Sequence, residues 1–217
     1  MSPFQRLKAR QRQERHHYHD SIGLRVHRAL SWLEQAEQSR DDDARFLFLW
    51  IAFNSAYAQE QEQDHRLAER NLYQQFLQKL VDLDDHHRLA DVVWQHYASA
   101  IRCILDNQFI LPEYWQFQRG EIDEPQWKCA LNSAKAAANR ALASNDTAKV
   151  LAIVFQRLYT LRNQMIHGGA TYGSSANRAQ LADCTAVLTQ LVPLIIELMM
   201  DNHNALWGDA IYPLVPA

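Results

Sequence analysis

The stretch that places this chain among helical proteins is Ala44-Arg45-Phe46-Leu47-Phe48-Leu49-Trp50-Ile51-Ala52-Phe53-Asn54-Ser55-Ala56-Tyr57. On a helix of 3.6 residues per turn, its apolar side chains point to nearly every side. A helix that is apolar all round must be buried on several sides. The stretch therefore predicts a central helix, and the acids at 41–43 predict its capped start.

Helical spacing of apolar residues continues on both sides of this stretch. It predicts further helices over residues 22–36, 67–83, 89–104, 126–143, 146–167 and 177–202. The last of these contains Pro193, where we expect a kink. Strand-type alternation is not convincing anywhere. The sequence thus predicts an all-α protein, a compact bundle of about seven helices in a single domain over residues 1–217.

Residues 106–125 interrupt the helical pattern with Pro112, Gly120 and Pro125. We interpret them as an excursion from the bundle. It carries four aromatic residues, Phe109, Tyr114, Trp115 and Phe117. Such side chains can stack on nucleic-acid bases, or they can pack the loop onto the domain.

The net charge of −3 provides no global attraction to nucleic acid, so binding would need a local patch. The N-terminal segment, residues 1–20, is a basic candidate. Seven cations outnumber Glu14 and Asp20 in the first 28 residues: Arg6, Lys8, Arg10, Arg12, Arg15, Arg25 and Arg28. The alternative is a solvated, partly frayed N-terminus.

The three cysteines, Cys103, Cys129 and Cys184, are far apart and odd in number, which is typical of reduced thiols in a cytoplasmic protein. The N-terminus lacks the apolar region of a signal peptide. The most apolar run, Leu188 to Met200, is too short to span a bilayer, so we expect a buried helix and no membrane partner.

No cofactor and no metal ion are expected. The chain contains no glycine-rich phosphate loop and no dinucleotide fingerprint. The cluster His16-His17-Tyr18-His19 has neighbouring histidines that alternate around a helix, and no Cys or acid nearby completes a tetrahedral zinc site.

The strongest candidate for chemistry is Leu161-Arg162-Asn163-Gln164-Met165-Ile166-His167-Gly168-Gly169. On a helical wheel Arg162 lies in the middle of an apolar arc, so its guanidinium must meet an acid, carbonyls, an interface or an anion, or else reach solvent along its stem. His167 is the last residue before Gly168, which we predict to be the C′ glycine that ends the helix. The alternative without a catalytic role is a histidine whose positive charge complements the helix dipole.

The spacing Arg-x4-His alone is weak evidence. The chain has 17 arginines and 10 histidines, so roughly one such pair is expected by chance, and Arg12 with His17 forms a second one. The position of the later pair on an apolar helix distinguishes it.

In this helical context Arg162-Asn163-x-x-x-His167 resembles the motif of the HEPN superfamily (higher eukaryotes and prokaryotes nucleotide-binding). The stretch from Trp32 to Tyr57 looks like the first helical hairpin of bacterial HEPN proteins. The run from Leu158 to Thr171 is similar to their motif region, and with Trp207-Gly208 and Tyr212-Pro213 the resemblance covers most of the chain.

The resemblance implies a HEPN-like bundle that dimerises face to face, so that two motifs form a metal-independent endoribonuclease site. Such proteins include toxins and phage-defence effectors; many members have lost activity and bind RNA or a partner protein. An antitoxin is a further expected partner. Toxins controlled by a nucleotidyltransferase often carry a tyrosine two positions after the histidine, where this chain has Gly169.

The residue types suit the cleavage of RNA by its own 2′-hydroxyl. His167 would accept or donate a proton, since histidine ionises near neutral pH. Arg162 would stabilise the charge of the transition state. Asn163 would orient His167 or the phosphate. On one ideal helix Arg162 and His167 point about 140° apart, so a second chain would be needed to bring both types together.

Overall fold

The structure, a computed structural model, describes residues 1–57, 67–175, 178–208 and Tyr212. In this part of the chain every regular element is helical, so the predicted all-helical class is confirmed. The α-helices are α1 (Pro3–Glu14), α2 (Asp20–Gln38), α3 (Asp42–Tyr57), α4 (Leu67–Asp82), α5 (Arg88–Asp91), α6 (Ala98–Asp106), α7 (Pro112–Gln118), α8 (Glu124–Ala143), α9 (Thr147–Ile166) and α10 (Arg178–Asp201).

The described residues therefore form ten α-helices rather than about seven. The three additional helices have three origins: α1 lies in the N-terminal segment, α7 lies in the aromatic excursion, and the helix expected over 89–104 is broken into two. There a π-turn, Val92–His96, separates α5 from α6. Val92 and Val93 of this turn are buried, so the apolar pattern continues through the break.

The chain divides into two compact units, residues 1–88 with 188–217 and residues 89–187. We call them the first and the second unit and describe each by itself. The single domain expected from the sequence remains a prediction.

Helix α3 lies in the core of the first unit. All of its residues are buried or half-buried, and Phe46, Trp50 and Phe53 are at most 1% exposed. It packs along α2, and its aromatic rings meet those of α4: the centroids of Tyr57 and Tyr73 are 4.7 Å apart. The prediction of a central helix is confirmed. So is the acidic start, because Asp41 Oδ1 accepts a hydrogen bond from the Ala44 amide at 2.9 Å.

The N-terminus is not frayed, which corrects one of the two alternatives for the basic segment. Ser2 and Gln5 form a reciprocal capping box at the start of α1. Leu7 is fully buried, and it anchors the helix in the first unit. Arg25, expected to belong to a surface patch, is 1% exposed and donates to the carbonyl of Ala56 at 3.2 Å.

In the described residues one helix, α10, is long and apolar enough to cross a membrane by length and composition alone. The apolar run of residues 188–200 is the C-terminal part of this longer helix. Of its most apolar window, 61% is buried inside the protein, as in the core helix of a soluble protein. The predicted burial of this run is confirmed: Leu188, Leu191 and Val192 are fully buried.

Candidate functional site

Helix α9 holds the candidate residues on a rigid base in the second unit. Its first turn is capped by Asp146, whose carboxylate accepts from the Lys149 amide at 3.0 Å. The first part of the predicted apolar arc is confirmed as core, because five side chains are 0% exposed: Val150, Leu151, Val154, Phe155 and Leu158. The turn that follows Leu158 is therefore fixed in orientation by packing. At the end of the arc the prediction was wrong, because Ile166, which was placed on the same arc, is 50% exposed.

The C-terminal end of α9 is closed by the predicted glycine. Gly168 has φ +72°, and its amide donates to the Met165 carbonyl at 3.3 Å. The Gly169 amide donates to the Gln164 carbonyl at 2.7 Å. This pair of bonds is a Schellman motif, so Gly168 is confirmed as the C′ residue and His167 as the C-cap.

The Arg162 guanidinium is half-buried and has no ion-pair partner among the described residues. Its Nη1 donates to Asn163 Oδ1 at 2.9 Å, and its central carbon lies 5.9 Å from the centroid of the Tyr159 ring. Its Nε is buried without a hydrogen-bond partner. An amide and a ring face offset only part of the desolvation of a full charge. The position is therefore suited to hold an anion.

His167 is exposed, and its ring forms no hydrogen bond within the described part of the chain. Its backbone amide donates to the Asn163 carbonyl at 3.0 Å. Asn163 thus contacts both motif residues, Arg162 through its side chain and His167 through its backbone. The structure brings the side chains of Arg162 and Asn163 together and leaves the His167 ring apart.

The oxygen of Asn163 is occupied by Arg162, an arrangement that the sequence did not predict. Its side-chain nitrogen has no acceptor among the described residues, so it can still donate to a ligand. The expected role of Asn163, to orient His167 or a phosphate, remains a prediction.

The aromatic excursion packs onto the end of α9, as one of its two interpretations expected. Gln164 Nε2 donates to the carbonyl of Phe109 at 2.7 Å, and Trp115 Nε1 donates to the same carbonyl at 2.8 Å. The ring of Tyr114 meets that of Trp127 edge to face, with centroids 5.2 Å apart. These contacts account for the aromatic residues without a nucleic-acid base.

Sequence reasoning missed a second arginine on α9. Arg157 is 5% exposed and so more deeply buried than Arg162. The signal was present in the sequence, because Arg157 lies three residues after Val154 and four before Leu161, on the apolar arc.

Among the described residues no group of three or more His, Cys, Asp or Glu side chains is arranged to hold a metal ion. All three cysteines are free, and only Cys184 is buried. No protein family, curated protein or solved structure matches the chain.

Proposed function

We propose that this protein is a HEPN-type, metal-independent endoribonuclease that works as a homodimer. One observation carries the proposal: the half-buried Arg162 guanidinium has no carboxylate partner among the described residues. It shares the end of α9 with the side-chain nitrogen of Asn163, which can still donate to a ligand, and with the exposed His167. A cation without a counter-charge and a neutral donor can bind a phosphodiester, and a nearby imidazole can transfer the protons that its cleavage requires.

The cleavage step follows from these groups. The RNA 2′-oxygen attacks the adjacent phosphorus while its proton passes to one imidazole. The bond from phosphorus to the 5′-oxygen breaks, and a second imidazole protonates the leaving oxygen. Arg162 stabilises the charge on the non-bridging oxygens. The products are a 2′,3′-cyclic phosphate and a 5′-hydroxyl.

The need for two imidazoles supports a dimer. Each chain offers one His167, and no other histidine lies between residues 97 and 202. Ile166, beside His167, is a large apolar residue that is 50% exposed. A second copy that covers Ile166 would also supply the second His167.

The first prediction concerns cleavage of a mixed RNA by the purified chain in EDTA. We expect cyclic-phosphate ends, and a loss of at least about 100-fold in rate for Arg162→Ala and for His167→Ala, as is usual when an electrostatic or acid-base group is removed. Arg102→Ala and His96→Ala, at exposed positions of the second unit, are matched controls and should cleave normally.

Activity that survives both motif substitutions would place the reaction elsewhere or in a contaminant. If the folded dimer cleaves no RNA, the chain is better described by the alternative function, a non-catalytic HEPN module that binds RNA or a partner protein. The divergence of Arg162 and His167 on one helix is the observation that favours this alternative.

A further inference from the structure

The arginines of α1 fall on two sides of the helix with opposite surroundings. On one side Arg6 forms two hydrogen bonds with the Glu197 carboxylate, at 2.6 and 2.9 Å. Arg10 pairs with Asp201 at 2.6 Å and with Glu14 at 2.8 Å. These cations are neutralised within the first unit and are not available to a partner.

The other side of α1 carries cations that form no ion pair in the described residues. Lys8 and Arg12 lie there, and Arg15, the residue that caps the end of α1, continues the helical spacing. Arg12 and Arg15 are exposed, and in the described residues none of the three forms an ion pair. Lys8 Nζ donates to Gln11 Oε1 at 2.7 Å and lies 3.4 Å from His27 Nδ1 of α2.

Arg28, next to His27, extends this surface onto α2. We call Lys8, Arg12, Arg15, His27 and Arg28 the basic cluster. Burial lowers the pKa of Lys8, and Arg12 lowers it further, whereas Glu34 raises it. Burial and then three cations of the cluster also lower the pKa of His27. The cluster therefore concentrates mutually repelling charge, with Glu34 as its opposing acid.

We propose that the basic cluster binds the phosphodiester backbone of a single-stranded nucleic acid. Arginine forks match phosphate oxygens in geometry and charge. Lys8 and Arg15 are seven residues apart, which is about 10 Å along a helix axis. A single strand whose bases stay stacked, with roughly the 3.4 Å rise of one strand of a duplex, presents about three phosphates over that length. Three cations would thus meet about three phosphates.

Neither the helix dipole nor a membrane surface accounts for the whole basic cluster. The negative end of the α1 dipole favours Arg12 and Arg15, but it does not reach Lys8 in mid-helix or Arg28 on α2. A membrane surface would require apolar side chains beside the cations. The large apolar side chains within α1 are turned inward: Leu7 is fully buried and Phe4 half-buried.

The second prediction concerns binding of the full chain to a fluorescein-labelled 12-mer oligouridylate, measured by anisotropy. The His167→Ala background keeps the RNA intact. We expect Arg12→Gln with Arg15→Gln to weaken binding at least about tenfold at low salt and to reduce the slope of log affinity against log salt by about 1.4.

The control variant, Arg6→Gln with Arg119→Gln, removes the same charge from ion-paired positions, and its affinity should stay within about twofold of the unsubstituted value. Oligothymidylate should compete equally, because the cluster contacts phosphate and not the 2′-hydroxyl.

Equal weakening by the cluster and the control substitutions would overturn the inference. So would tighter binding to phosphatidylserine vesicles or to a polyglutamate peptide than to oligouridylate. The inference is separable from the ribonuclease proposal. If the protein cleaves no RNA but its RNA binding is weakened by the cluster substitutions, the inference stands and the ribonuclease proposal fails. If the protein cleaves RNA and the cluster substitutions leave RNA binding unchanged, the inference fails.

Discussion

At Arg162 the stability of the fold and the proposed function favour different side chains. The guanidinium of this residue is half-buried and meets a neutral amide and a ring instead of a carboxylate. Partial removal of a charge from water is unfavourable unless a counter-charge offsets it. Leu158, one turn earlier, shows what packing alone prefers on this arc, because it is apolar and 0% exposed.

The third prediction is that Arg162→Met separates stability from activity. The free energy of unfolding should stay unchanged or rise by up to about 1 kcal/mol, because an uncompensated charge is replaced by an apolar chain of similar length. RNA cleavage should be lost. Urea unfolding followed by circular dichroism measures the first effect.

Arg25→Met serves as the contrasting substitution. Arg25 is buried and donates to the Ala56 carbonyl, so its loss leaves a buried acceptor and should lower stability by about 1 to 3 kcal/mol. If Arg162→Met is as destabilising as Arg25→Met, the role of Arg162 is structural.

At the scale of the element, the end of α9 depends on one backbone conformation. The fourth prediction is that Gly168→Ala lowers the unfolding free energy by about 1 kcal/mol, since φ +72° is unfavourable for a residue with a Cβ atom. Nothing lies within 4 Å of the added Cβ, so the effect is one of conformation and not of crowding.

Gly23→Ala is the matched control. Gly23 lies within α2, and the nearest atom to its added Cβ is 3.9 Å away, which is ordinary contact. Alanine should raise stability there by about 0.5 to 1 kcal/mol, because glycine is a poor helix former. Equal effects of the two substitutions in urea unfolding would argue against a strained cap at Gly168.

The sequence predicts helices well where one apolar face is continuous. The expected segments 44–57, 146–167 and 177–202 agree with α3, α9 and α10 to within two residues at each end. Helix α1 was missed because it buries little apolar surface, and Leu7 is its one fully buried apolar side chain. Its other tertiary contacts include ion pairs of Arg6 with Glu197 and of Arg10 with Asp201. Such partners are remote in sequence and leave no periodic signal.

The candidate site, like the helices, was predicted in part from the sequence. Gly168 was identified as the cap because glycine tolerates positive φ. Arg162 was recognised as a charge on an apolar arc. Its contact with Asn163 was not foreseen, because adjacent residues on a helix point about 100° apart and only the side-chain rotamers bring them together.

At the scale of the whole molecule, the proposed reaction requires more than one chain provides. Arg162 and His167 point about 140° apart on an ideal helix, and the step needs both a base and an acid. A symmetric dimer places two copies of the same face opposite each other. Ile166, half-exposed in the same turn, is an apolar side chain for such a contact.

The fifth prediction is that the His167→Ala chain suppresses the normal chain once the two have exchanged subunits. The proposed step needs both copies of His167 in one dimer, and in an equal mixture only about a quarter of the dimers keep both. RNA cleavage should therefore fall to about a quarter of the rate of the same total amount of normal protein, whereas chains that act independently would keep about half. Ile166→Asp in the normal chain should prevent dimers and remove cleavage. If exchange is shown by native mass spectrometry and about half of the rate remains, the reacting groups belong to one chain, and the dimer is not part of the site.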